Sequence, residues 1–190
     1  MEKIETNNIK ARIWLTSKSR MNAEARFRKY NQITHILLCL LSVILISITV
    51  LSGSLPAQVP VDAYSVVFSV FILAFSIVVF GFNFGETSVL HRECYLSLQK
   101  LYDSRDSAEE IERNYHSILS SYPNHSNLDY ERLVLSKTFP QKKGMSDPNG
   151  VPISWDMWML IKQCFHEIII WGLSLGLLIL SVGSMFLFWG

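Results

Sequence analysis

Three stretches of the chain lose the mixed polar and apolar texture found elsewhere and become almost uniformly apolar: residues 33–52, 64–84 and 168–189. Each reaches the roughly 20 residues that an α-helix needs to cross a hydrocarbon core about 30 Å thick. They are apolar all round, the pattern of a membrane span and not of a helix with one wet face. Charge obeys the same division. All 17 Lys and Arg fall in 1–32 and 92–162, and Asp62 is the single charge between Tyr30 and Glu86. An ionised side chain at the bilayer centre costs about 2.5–3.5 kcal/mol on the insertion scale, so such avoidance marks spans. The expected fold class is all-α: an integral membrane protein with three transmembrane helices and a cytoplasmic helical hairpin or bundle.

Outside the spans the pattern changes to helical periodicity. Residues 18–31 lack Gly and Pro and are rich in helix formers, predicting a basic helix that runs into the membrane with Tyr30 at the headgroup level. Beyond Gly85, Leu90, Cys94, Leu98 and Leu101, with Tyr95 and Tyr102, keep to one side at spacings of three and four. Ser107-Ala108-Glu109-Glu110 fits a capping box opening a second helix, whose apolar face is Ile111, Tyr115, Ile118, Leu119 and Tyr122. The two read as a helical hairpin, packed on itself or on a neighbouring subunit. Ser126-Asn127-Leu128-Asp129 can cap a further short helix to about Lys137. Residues 139–152, with three prolines and two glycines, read as a loop with no packed structure of its own.

The expected organisation is a basic cytoplasmic N-terminal helix over 1–32, a transmembrane hairpin over 33–84 with an outer loop at 53–63, and a cytoplasmic helical domain over 85–138. A loop at 139–153, an interfacial helix at 154–167 marked by Trp155 and Trp158, and a third transmembrane helix at 168–190 complete it. Lys and Arg close to the spans, Arg92 and Lys100 after the second among them, set the orientation, because cation-bearing flanks stay in the cytoplasm. Residues 1–32 carry eight cations against three acids, +5, and 86–167 nine against twelve, −3. The cation-free linker is thereby placed outside, the N-terminus in the cytoplasm and the C-terminus outside. An apolar run of about 20 residues behind 32 others is not the pattern of a cleaved signal. Cys39, Cys94 and Cys164 are odd in number, have no metal-like spacing, and read as small packing residues.

No catalytic constellation is visible: no HExxH, phosphate loop or nucleophile elbow. No enzyme, metal or cofactor is expected. The spans carry more information. Asp62, Ser69, Ser76 and Asn83 recur every seven residues, as do His35, Ser42 and Thr49, placing polar groups on one stripe of a helix that supercoils against neighbours. Such a stripe faces protein or water, either as plain helix packing or as the lining of a wet path in an oligomer. Gly81/Gly85 and Gly172/Gly176 add two small-xxx-small pairs. The cations Arg20, Arg26, Arg28 and Lys29 read either as a topology anchor against anionic lipid or as a docking strip for a phosphate-bearing ligand. Asn124 and His125 join them as ligand-binding candidates.

Several local patterns carry a resemblance. Arg28-Lys29-Tyr30-Asn31 stands before the first span. A short outer loop and a second span lead into Glu86, His91, Tyr95, Leu98 and Leu101. Tyr115, Leu119 and Tyr122 then precede Pro123-Asn124-His125-Ser126-Asn127-Leu128-Asp129-Tyr130. Over residues 10–137 this resembles the SLATT family of bacterial membrane effectors from antiviral conflict systems. The resemblance implies a two-span core plus helices, with the third span outside that core, and a pore-forming effector in the bacterial inner membrane. It also implies control by a nucleotide or oligonucleotide from a companion nucleotidyltransferase, and action by depolarisation and growth arrest. Three spans enclose no pore alone, so a homo-oligomer is expected, a tetramer as first guess. The alternative is a non-conducting membrane anchor or scaffold that recruits a cytosolic partner through 86–167.

Overall fold

The computed structural model describes residues 2–51, 61–140 and 144–187, with side chains over 5–51, 61–140 and 144–179. Six helices and one two-stranded ribbon follow in order: α1 (Glu2–Leu51), α2 (Val61–Phe82), α3 (Phe84–Asp103), α4 (Ala108–Ser121), α5 (Asn127–Thr138), β1 (Met145–Ser146), β2 (Pro152–Ile153) and α6 (Met157–Leu187). The protein is all-α apart from that ribbon, and three of its helical stretches are long and apolar enough to cross a membrane. Most of the linker expected at 53–63, with Pro56 and Pro60, and Gly183 in the third span, lie outside the described residues or side chains.

The chain divides into two compact units. The first comprises Met1–Arg28 and Gly85–His166. Its main core joins Ile9 and Ile13 of α1 to Cys94, Leu98 and Leu101 of α3 and to Ile111 and Tyr115 of α4, with Ile118, Leu119 and Tyr122 packed against them. The expected hairpin of α3 and α4 is present, and its apolar faces close on the N-terminal part of α1. A fully buried chain such as Ile13 or Ile111 contributes about 1.5–3 kcal/mol. The N-terminal helix, expected over 1–32 with its run of strong helix formers starting only at Lys18, begins at Glu2. Thr6, Asn7 and Asn8 have weak helix propensity, but Ile9 and Ile13 recover the deficit by burial.

The capping box of α4 forms as its sequence predicts: the Glu110 N–H donates to Ser107 Oγ at 3.4 Å, and the Ser107 N–H donates to Glu110 Oε2 at 3.3 Å. Ser107→Ala is expected to lower the stability of this unit by about 0.5–2 kcal/mol. Thermal unfolding followed by circular dichroism checks it, and an unchanged midpoint counts against the cap.

A second, smaller core unites Leu133 and Val134 of α5 with Met145, flanked by Trp14, Leu15, Tyr130, Ile153, Trp155 and Met159. This corrects the expectation of an unpacked loop at 139–153. β1 and β2 pair antiparallel with Met145 opposite Ile153. Asp147 Oδ1 accepts from the N–H groups of Asn149 and Val151 at 2.9 and 2.7 Å, and Gly150 takes φ +84° to complete the turn. The prolines and glycines that argue for a loop are here the turn itself. The separate interfacial helix expected at 154–167 is also absent as such, because α6 runs unbroken from Met157 into the apolar stretch.

The second unit comprises Lys29–Phe84 and Glu167–Gly190 and holds the spans. Asn83, between α2 and α3, has φ +45°. Asparagine tolerates this left-handed conformation better than most residues, which makes it a natural joint. Tyr30 meets Phe84 edge-on at 5.5 Å, while Lys29 pairs with Glu167 and lies 5.1 Å from the Trp171 ring. Little else covers the spans: of the most apolar stretch in each, 11%, 6% and 0% of residues are buried.

Candidate functional site

Two sets of residues carry the functional reading, and each lies within its own unit. In the first unit, three polar residues of α1 spaced two and four apart reach the connection between α4 and α5. Arg20 is wholly buried; its guanidinium donates to the Pro123 carbonyl and, at 3.2 Å, to Asn124 Oδ1. Asn22 donates to the Asp129 carbonyl at 2.9 Å. Arg26 grips the Asp129 carboxylate with two parallel bonds, Nε to Oδ1 at 2.8 Å and Nη2 to Oδ2 at 2.9 Å. This bidentate fork is the strongest arrangement a neutral-pH ion pair adopts.

The connection is preset to receive these groups. The Ser126 N–H and hydroxyl donate to Asp129 Oδ2 at 3.0 and 2.8 Å. Asp129 thus sits in the first turn of α5, where the helix dipole favours an anion. Burial works against its ionisation, but the hydrogen bonds from Arg26 and Ser126 and the Arg26 charge hold its carboxyl below the usual range. At the other end, Arg20 meets carbonyls just beyond the C-terminus of α4, where a cation is favoured.

Two histidines line the same region. His91 of α3 is buried and stacks on Phe27, with ring centroids 5.5 Å apart. Burial, then the Arg20 charge, lower its pKa from 6.5 to about 4. His125 is half-buried and is lowered by the same two causes in the same order. Both imidazoles are therefore neutral at pH 7, and the cluster holds Arg20 and Arg26 against Asp129 without further cations. Cys94 is buried beside Arg20, and burial pushes its thiol up and away from reactivity, whereas Cys39 and Cys164 are exposed.

The expected anion-docking residues are thus brought together only in part. Arg20, Arg26, Asn124 and His125 meet, but they hold one another and the α4–α5 connection. Arg28 is exposed and pairs with Glu24 at 3.4 Å one turn away, and Lys29 pairs with Glu167. Sequence reading missed Asp129 as the carboxylate Arg26 needs and His91 as a buried group. The signal for Asp129 was its place three residues after Ser126.

In the second unit the stripe residues satisfy themselves. Ser42 and Thr49 each donate to the carbonyl one turn back at 2.8 Å. Ser69 and Ser76 do so to carbonyls three residues back at 2.8 and 2.7 Å. His35 and Asp62 are exposed, and Asn83 forms the joint. Asp62 lies in the first turn of α2, where its charge meets the positive end of the helix dipole. A Cβ added to Gly81, Gly172 or Gly176 would meet nothing within 4 Å, so the small faces are open within one chain.

Residues 2–183 match the family described as SMODS and SLOG-associating 2TM effector domain family 5. The chain belongs to the SLATT family. The local motifs placed the third span outside the family's core, but the match runs well past residue 137, to 183, and so takes in most of α6. Those motifs are short and cluster around the first two spans, whereas 168–183 carries apolar residues with no diagnostic pattern. The family description names two transmembrane segments; among the described residues of this SLATT chain three helices have sufficient length and apolarity. No curated protein and no solved structure matches the chain.

Proposed function

We propose that the protein is an oligomeric pore-forming effector of a bacterial antiphage defence system, gated through its non-spanning helical unit by a nucleotide or oligonucleotide signal. In this reading that unit faces the cytoplasm, the membrane is the inner one, and opening depolarises it and arrests growth. Membership of an effector family whose description includes transmembrane segments supports the effector role. The observation that carries the pore is the bareness of the spans. Three apolar helices that barely bury one another, with open glycine faces and aligned hydroxyls, are built to be covered by lipid and by further copies.

Planar-bilayer recording of the purified protein tests this. Conductance is expected, and Ser69→Leu or Ser76→Leu is expected to cut it several-fold if the stripe meets water. Silence with and without nucleotides sinks the pore.

One observation favours a second reading, a non-conducting anchor recruiting a cytosolic partner through 86–167. The four stripe hydroxyls already have backbone acceptors and need no water. Unchanged membrane potential on overexpression, together with capture of a defined cytosolic enzyme, decides for it.

A further inference from the structure

Between α1 and α3 in the first unit lies a cleft of about 170 Å³, lined on α1 by Trp14, Ser17 and Lys18 and on α3 by Gln99, Tyr102 and Asp103. It is separate from the Arg20–Asp129 cluster, and its chemistry is unusual for a gap between packed helices. Lys10, Trp14 and Lys18 follow one another at i, i+4 and i+8, so an aromatic ring stands between two cations on a single helix face. Tyr102 supplies a second ring opposite, with the Lys10 ammonium 5.8 Å from its centroid.

The polar groups here are underused. Among the described residues the Lys18 ammonium and the Gln99 amide reach only the Met21 sulfur, at 3.6 and 3.9 Å, and the Lys10 ammonium gives one of its three protons to the Ser104 carbonyl at 3.2 Å. Sulfur is a weak acceptor, so Lys18 and Gln99 retain donor capacity. The Ser17 hydroxyl is buried and has no hydrogen-bond partner among the described residues, whereas Ser42 and Ser47 farther along α1 return theirs to the backbone. A buried hydroxyl without a partner costs free energy that an incoming polar ligand can recover. The cleft therefore combines stacking surface, donors, an acceptor carboxylate and a net charge of +1 from Lys10, Lys18 and Asp103.

We propose that this cleft takes the base of a nucleotide, stacked against Trp14 and Tyr102, with its polar edge on Gln99 and Asp103 and its phosphate met by Lys18 and Lys10. Base–aromatic stacking flanked by cations is how proteins hold unpaired nucleotides. The volume suits one ring system, since a cavity of about 150 Å³ accepts a benzene; the sugar and phosphate stay at the mouth. The inference rests on the reading that a nucleotide controls the protein, and supplies the site that the internally engaged Arg20 and Arg26 do not.

Calorimetric titration of the full chain in lipid nanodiscs tests it. The probes are the four ribonucleoside 5′-monophosphates, a linear diribonucleotide, and ribose 5-phosphate as the base-free control. At least one nucleotide is expected to bind and the control is not. Tyr102→Ala, an exposed position outside the core, is expected to weaken binding about tenfold or more, and Lys18→Gln to weaken it and flatten its salt dependence. Circular dichroism establishes that both variants keep their helices. Nucleotide binding that ignores both substitutions overturns the cleft while leaving nucleotide control intact. Equal binding of ribose 5-phosphate overturns base recognition, and no binding of any probe overturns the site. Bilayer conductance, recorded separately without ligand, judges the pore reading on its own.

Discussion

Asp129→Ala is expected to remove about 3–5 kcal/mol from the stability of the unit formed by Met1–Arg28 and Gly85–His166. Asp129 is 1% exposed and takes four hydrogen bonds from Arg26 and Ser126. Its loss leaves the Arg26 guanidinium part-buried with no carboxylate beside wholly buried Arg20, so two cations share a site built for a balanced charge. The same substitution deletes the carboxylate from the first turn of α5. Since folded domains hold only about 5–15 kcal/mol in all, the variant is expected to lose a large part of its cooperative unfolding. Denaturant titration followed by near-ultraviolet circular dichroism measures it, with Asp129→Asn expected to fall between wild type and alanine. A loss below about 1 kcal/mol would mean that the pair is ornamental and that apolar packing alone holds α5.

Acidification is expected to weaken the same unit. The folded pKa of His91 is depressed from 6.5 to about 4, so the unfolded chain binds the proton more readily than the folded one. Stability is full above about pH 6.5 and falls as pH drops from there towards 4. At pH 5 the loss from His91 alone is on the order of 2 kcal/mol. His125, lowered by burial and by Arg20, adds to the loss in the same direction. Asp129, also lowered, contributes stability that disappears as pH falls through its folded value. All three push one way because each holds its proton less readily folded than unfolded: the histidines through burial and then the Arg20 charge, Asp129, against its burial, through Arg26 and Ser126. Thermal unfolding between pH 7.5 and 5 reads the slope, and His91→Phe should flatten it. A pH-independent midpoint in wild type would show that these histidines are not held neutral.

The spans, the α4 cap and its apolar face were legible because each depends on a local pattern: an unbroken apolar run, a Ser three residues before a Glu, apolar residues at helical spacing. What holds the first turns of α1 was not, because the weak helix formers near Asn7 are overruled by burial of Ile9 and Ile13 against residues some 90 positions away. The ribbon at Met145 and Ile153 was hidden for a related reason. Its two paired residues on each side give no periodic signal, and its stability comes from Leu133 and Val134 beneath. At the candidate site, cations were visible but their partners were not. Arg26 and Asp129 lie 103 residues apart, and nothing in either neighbourhood announces the other. A sequence thus offered Arg20 and Arg26 to an external anion, when the fold consumes them.

The inward-turned hydroxyls of the spans have one further implication. A hydroxyl that spends its only proton on a carbonyl three or four residues back keeps lone pairs and nothing to donate. Along α1 and α2 this leaves rows of bare oxygen acceptors at Ser42, Thr49, Ser69 and Ser76. Were such rows to border an aqueous passage, they would solvate sodium or potassium and offer chloride no hydrogen to hold, so discrimination by sign would need no charged ring.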